Sequence, residues 1–280
     1  MSGDDDEQVH GEQVHEAEEA GARNQHQTSP TEIVEATKAW SQVAKSFMFV
    51  EVASLVMMFS CIGAWGPGRS SELAYSLSVS VVSLAACLII QTGEFVKPGL
   101  LERVEKPVSL ALFVWWVVGT GVTTFRAPFT VVGNGYFSSW AGLVFTSHWA
   151  LSIDTAKFQE LDKARKILFG LIIASAVEAF ACIPFLVGNV YVGQSAWGLS
   201  AGLISFAIGG ALFKLHDDVD AGVAKVTAVV LFTIWAVVAG VCTFDGPFRL
   251  AGNGYFGAWG GFLLSTFYFQ HIFGREDEML

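Results

Sequence analysis

Apolar residues in this chain neither alternate strictly nor keep to one narrow face; they run on. Long apolar stretches lie at approximately 47–65, 73–90, 108–124, 136–152, 167–187, 195–213, 226–243 and 255–273. Each approaches the roughly 20 residues a helix needs to cross a hydrocarbon core about 30 Å thick. A closed barrel is the other spanning solution, and these unalternating runs do not suit it. The pattern therefore predicts an all-α membrane protein with eight transmembrane helices.

The runs fall into two sets of four. Thr124-Phe125-Arg126-Ala127-Pro128-Phe129, then Gly133-Asn134-Gly135-Tyr136-Phe137 and Trp140, recurs 119 residues later as Thr243-Phe244-Asp245-Gly246-Pro247-Phe248, then Gly252-Asn253-Gly254-Tyr255-Phe256 and Trp259. At the same offset Lys106, Leu112, Phe113, Trp116 and Gly121 match Lys225, Leu231, Phe232, Trp235 and Gly240. The first run matches the fifth at an offset of 121, with Lys45, Ala53, Ser54, Val56, Phe59 and Cys61 against Lys166, Ala174, Ser175, Val177, Phe180 and Cys182. The second matches the sixth at 122, with Ala74, Leu77, Ser78, Ser83 and Ala85 against Ala196, Leu199, Ser200, Ser205 and Ala207. A duplicated four-helix cassette is expected, covering 47–152 and 153–273. Because four is even, the copies enter the membrane in the same sense and are expected about a pseudo-twofold along its normal.

Charge separates the N-terminus from the rest. Of 26 acids and 16 bases, residues 1–46 hold ten acids and three bases, a net of −7 out of −10. Asp4, Asp5, Asp6 and Glu7, with the doubled Glu-Gln-Val-His at 7–10 and 12–15, are too polar to order themselves, so 1–28 is expected to be a disordered acidic tail. It is a candidate docking segment for a cytosolic protein. Ser29-Pro30-Thr31-Glu32 fits a capping box and starts an expected amphipathic interfacial helix over 29–46. Residues 274–280 form a short acidic C-terminal tail. A basic, early-apolar signal peptide is not present at the start. Placing both termini on one side puts thirteen Lys and Arg there and only Arg69, Arg126 and Arg249 opposite. That bias predicts cytoplasmic termini in a membrane the sequence does not specify.

In architecture alone, each set of four spans resembles a MARVEL-type cassette: cytoplasmic termini, short loops and aromatic-rich helices. The resemblance implies a role in membrane apposition, vesicle traffic or membrane subdomains. It carries no motif residue by residue, and the tandem copy and the Pro-Phe and Gly-Asn-Gly-Tyr-Phe loops depart from that pattern.

The candidate chemistry is sparse. Pro128, Phe129, Gly133, Asn134, Gly135 and Tyr136, like Pro247, Phe248, Gly252, Asn253, Gly254 and Tyr255, read as tight turns into the next helix, with Asn-Gly accepting left-handed angles and the aromatics at interfacial depth. A ligand mouth or partner surface is the other reading. Arg126 and Asp245 occupy matched positions with opposite charge, which suggests a cross-repeat ion pair or two independently solvated groups. Glu178, near the middle of the fifth run, and Glu51, one turn into the first, are the acids at membrane depth and so candidate ion or proton sites; polar contact inside the bundle is the plainer reading. The serines at 76, 78, 80 and 83 are read as helix contacts or, in the minority reading, as the wall of a hydrated path.

Four cysteines without Cys-x-x-Cys spacing give no zinc site or disulfide framework, and buried free thiols are expected. Gly252 to Gly257 spells Gly-x-Gly-x-x-Gly, but after a membrane span and not a strand, so no dinucleotide site is read there. No cofactor, metal or nucleic-acid partner is expected, and no catalytic set appears. The leading expectation is a non-enzymatic membrane-organising or scaffolding protein, with self-association as a candidate property. The alternative is a small-solute or proton-coupled transporter or channel using Glu178.

Overall fold

The structure, a computed structural model, describes residues 30–97, 99–151 and 161–274. Met1–Phe47 and Met48–Leu280 are separate compact units. Of the first, the helical backbone from Pro30 and the buried side chain of Phe47 are described. The acidic tail at 1–28, Ser29 and the C-terminal residues 275–280 lie outside the described residues, as do the side chains of the expected interfacial helix.

All regular structure among the described residues is helical. α1 is Pro30–Gly63, α2 Ser71–Val96, α3 Leu100–Phe125, α4 Asn134–Leu151, α5 Lys163–Val187, α6 Val192–Lys214, α7 Ala221–Gly240 and α8 Asn253–Gly274. A 3-10 turn at His216–Asp218 follows α6, and a π turn at Val241–Asp245 prolongs α7. Among the described residues, five helical segments are long and apolar enough to cross a membrane: Ser71–Glu94, Leu100–Phe125, Lys163–Val187, Val192–Lys214 and Ala221–Asp245. The apolar part of α1, Phe47–Gly63, is shorter. α4 and α8, with 18 and 22 residues, carry Gly, Ser, Trp, Tyr and His among their apolar positions and fall outside that set.

Helix ends follow the local chemistry of unsatisfied amides. Ser70 caps α2 through Leu73 N, Asp162 caps α5 through Arg165 N, and Asp220 caps α7 through Gly222 N and Val223 N. The connection between α2 and α3 is much tighter than the gap between the apolar runs 73–90 and 108–124. Gly99 supplies a left-handed φ of 85°, and the Glu94 carboxylate accepts from Gly99 N (2.8 Å) and Leu101 N (2.6 Å). α3 therefore begins eight residues before the apolar run at 108. Its charged first turns and Pro107 remain helical because polar residues can prolong a helix past the apolar core. Trp149 of α4 supports this extension by donating Nε1–H to Glu105 Oε1 (3.1 Å).

The interior mixes an apolar core with small hydroxyls, and the surface is widely apolar. Ser76, Ser80, Ser83, Thr120, Thr123, Thr146, Ser175 and Ser265 are buried, while Phe59, Ile89, Val114, Val144, Ile173, Leu203, Val226 and Leu263 are exposed. Hydrocarbon faces lipid readily, and small hydroxyls let helices approach. The serines of α2 bond within their own helix: Ser76 to Glu72 O (2.7 Å), Ser78 to Tyr75 O (2.6 Å), Ser80 to Leu77 O (2.8 Å) and Ser83 to Val79 O (2.7 Å). Ser76 also pairs with Thr123 of α3 (2.8 Å). Of these four hydroxyls, Ser76 is the one bonded to another helix, and the other three bond to carbonyls of α2 itself.

α5 packs on α6 and α8, α7 on α8, α3 on α2 and α4. Close approach comes from glycine. Gly142 lies against the Trp116 indole and Gly261 against the Trp235 indole, both rings fully buried. A Cβ on Gly202 would sit 2.8 Å from Ser175 O, which is why α5 and α6 can pack backbone to backbone.

Candidate functional site

The two Gly-Asn-Gly loops share a scaffold. Phe129 N donates to Thr123 O (3.0 Å) and Phe248 N to Cys242 O (2.9 Å), folding each Pro-Phe pair back over the end of its helix. Each ring then covers a glycine: Phe129 lies on Gly135 and Phe248 on Gly254, with no room for a Cβ. The expected left-handed backbone is not what selects these residues. Among the described residues, positive φ occurs at Gly68, Gly99, Asn189 and Tyr191. The motif glycines supply space under an aromatic ring, a demand that a turn-based reading of the Asn-Gly pairs does not express.

Beyond that scaffold the copies diverge. The loop at 130–132 lies directly on the loop at 251–252: Val132 N donates to Ala251 O (3.1 Å), and a Cβ on Gly252 would meet Thr130 O at 2.5 Å. This contact draws Asn253 inside. Its Oδ1 accepts from Tyr136 Oη (2.8 Å) and Trp140 Nε1–H (3.1 Å), and its Nδ2 donates to Thr124 Oγ1 (2.9 Å). Thr124 in turn donates to Thr120 O (2.7 Å), and Thr120 to Ser139 O (2.8 Å). One amide of α8 thus ties α3 and α4 together. Asn134 is exposed, and the indole nitrogen of Trp259, the counterpart of Trp140, is buried without a partner.

The charged pair is partnered differently from the cross-repeat expectation. Arg126 pairs with Glu72 at 3.5 Å, and Asp245 accepts from Gln194 Nε2 (3.1 Å). Glu72 and Gln194 are themselves 122 residues apart, the offset that relates the second and sixth apolar runs. Each loop is therefore latched to the start of α2 or α6, because that helix end lies beside the end of α3 or α7. The Glu72 and Gln194 partners carried no charge-reversal pattern that a reading of the loops alone could find.

Glu178 of α5 is fully buried, and neither carboxyl oxygen has a hydrogen-bond partner. A Cβ on Gly198 of α6 would lie 3.1 Å from its Oε1, 2.7 Å from Cys182 Sγ and 3.2 Å from Cys242 Sγ. A Cβ on Gly257 of α8 would lie 3.0 Å from its Oε2. The acid is thus enclosed by two glycines and two thiols. At the repeat offsets these glycines replace Ser76 and Ser138, and the acid replaces Met57. The carboxyl occupies space that side chains at these two positions would crowd, a fit visible only once the three positions are known to meet. Burying the ionised form there without a partner costs far more than burying the neutral acid. Glu51 is different: half-buried, it accepts from Gln91 Nε2 of α2 (2.8 Å).

Cys61, Cys87, Cys182 and Cys242 are free, buried thiols. Asp217 and His216, in the turn after α6, are tied to the start of α5: Arg165 meets Asp217 at 2.6 Å and His216 meets Asp162 at 3.1 Å. Among the described residues no group of three or more His, Cys, Asp or Glu could hold a metal.

The described residues form an all-helical fold with several helices long and apolar enough to cross a membrane. No family model, curated protein or solved structure matches the chain.

Proposed function

We propose that this chain is a non-enzymatic, eight-span membrane-organising or scaffolding protein, built as two parallel four-helix cassettes over 47–152 and 153–273 with both termini cytoplasmic. Matched contacts support the cassette reading: Trp116 on Gly142 and Trp235 on Gly261, Phe129 on Gly135 and Phe248 on Gly254. The observation that carries the functional reading is the clasp at Asn253. The polar side chains of the most strongly repeated motif are engaged in holding one proposed cassette to the other. The MARVEL-like architecture fits this role and supplies no residue to it.

Sidedness rests on the Lys and Arg bias. A glycosylation acceptor placed in the 66–70 loop is expected to be modified in microsomes, and one placed near 98 is not; the reverse pattern overturns the orientation.

A second reading, proton- or solute-coupled transport, is favoured by the bare carboxyl oxygens of Glu178 at the centre of α5–α8. Proteoliposomes with a pH-sensitive dye decide between them. Scaffolding predicts that wild type and Glu178→Gln are both indistinguishable from empty vesicles under an imposed proton gradient. Flux in wild type that Glu178→Gln abolishes would establish transport instead.

A further inference from the structure

We propose that the cleft between α3–α4 and α5–α6 is a binding site for one phospholipid, with its phosphate at Arg126 and Arg249 and an acyl chain along the cleft. The cleft has a volume of about 600 Å³ and is walled by apolar groups, among them Gly121, Ile173, Val177 and Phe180. Its lining runs from Val117 to Arg126 on α3 and from Ile172 to Pro184 on α5. At 1.5 Å per residue that is about 14 Å and about 18 Å of helix. One leaflet of a core about 30 Å thick has a similar depth, about 15 Å.

At the loop end this cleft joins a second cavity of about 510 Å³, which shares Phe125, Arg126 and Pro184 and is also lined by Thr124, Asn253 and Arg249. Glu72 holds one side of Arg126 at 3.5 Å, yet the Arg126 side chain stays 73% exposed. Arg249 reaches Asp245 O (3.3 Å), lies over the Tyr191 ring and is likewise exposed. Two guanidiniums lining one vestibule, above an apolar slot one leaflet deep, match an amphiphile with a phosphate head. Guanidinium recognises phosphate oxygens through charge-assisted, often bidentate hydrogen bonds. Both cavities fall in the size range of ligand sites. The inference requires only that these helices lie in a bilayer, so it survives failure of the scaffolding reading.

Gly121 provides a plug. A Cβ there meets nothing within 4 Å, because the glycine opens onto the cleft. Gly240, its repeat counterpart, also meets nothing, but does not line either cavity. Native mass spectrometry of the full chain in detergent, titrated with phosphatidylglycerol, oleate and diacylglycerol, tests the site. One saturable phosphatidylglycerol per chain is expected. Gly121→Leu and the double variant Arg126→Gln/Arg249→Gln are each expected to weaken it at least about tenfold, with Gly240→Leu unchanged. The guanidinium variants alter exposed side chains and so separate lost binding from lost folding. Equal retention by all four proteins overturns the site. Diacylglycerol binding as tightly as phosphatidylglycerol overturns the role of the arginines, and oleate binding in its place overturns the assignment to a phospholipid.

Discussion

Asn253→Ala is expected to destabilise the folded protein by about 2–3 kcal/mol, whereas Asn134→Ala, the same change in the other copy of the same five-residue motif, stays within about 0.5 kcal/mol. The difference comes from position alone. Asn253 makes three hydrogen bonds across the clasp, and its loss removes the acceptor shared by the buried Tyr136 hydroxyl and the Trp140 indole N–H. Interhelical hydrogen bonds in membranes are individually modest, averaging about 0.6 kcal/mol, so the effect requires all three together with the two donors left without that acceptor. Thermal unfolding in detergent, followed by tryptophan fluorescence, should show a Tm lowered by about 5–10 °C for Asn253→Ala. Equal shifts for the two variants would falsify the clasp.

Gly261→Ala and Gly142→Ala are expected to be comparably costly, although each adds one methyl group. The added Cβ would overlap the Trp235 or Trp116 indole, and both rings are fully enclosed. Overpacking of this kind typically costs about 1–3 kcal/mol, because the ring must leave its rotamer or the helices must part. Combining Gly261→Ala with Trp235→Leu should recover part of the loss, since the smaller side chain vacates the space the new methyl needs. The two changes are expected to couple by at least about 1 kcal/mol in a double-mutant cycle read from Tm. Strict additivity would show that the Gly261 and Trp235 positions do not share that space.

These predictions separate what sequence reasoning could reach from what it could not. Helical content and the apolar elements were legible because a bilayer leaves few ways to satisfy backbone polar groups. Gly-Asn-Gly-Tyr-Phe was visible as a repeat, but its glycines were read for backbone angle. The spatial reason is a Phe ring from six residues upstream, whose return over Gly135 or Gly254 depends on a backbone bond that no local pattern announces. Glu178 was found as an acid at depth. Its enclosure was not, because Gly198 and Gly257 come from two other helices.

The asymmetry of the clasp marks the boundary most clearly. Thr124 and Thr243, Asn134 and Asn253, Tyr136 and Tyr255, Trp140 and Trp259 are the same residues in the same order, so sequence allowed two equivalent networks. Only Asn253 forms one, because the 130–132 loop lies across Gly252 and pulls one asparagine inward while its counterpart faces out. The order of amino acids determined that long apolar helices form and where they start, since burial and capping are decided over a few neighbouring residues. Which of two identical side chains becomes buried was decided by tertiary packing, because that outcome depends on which surface arrives opposite it.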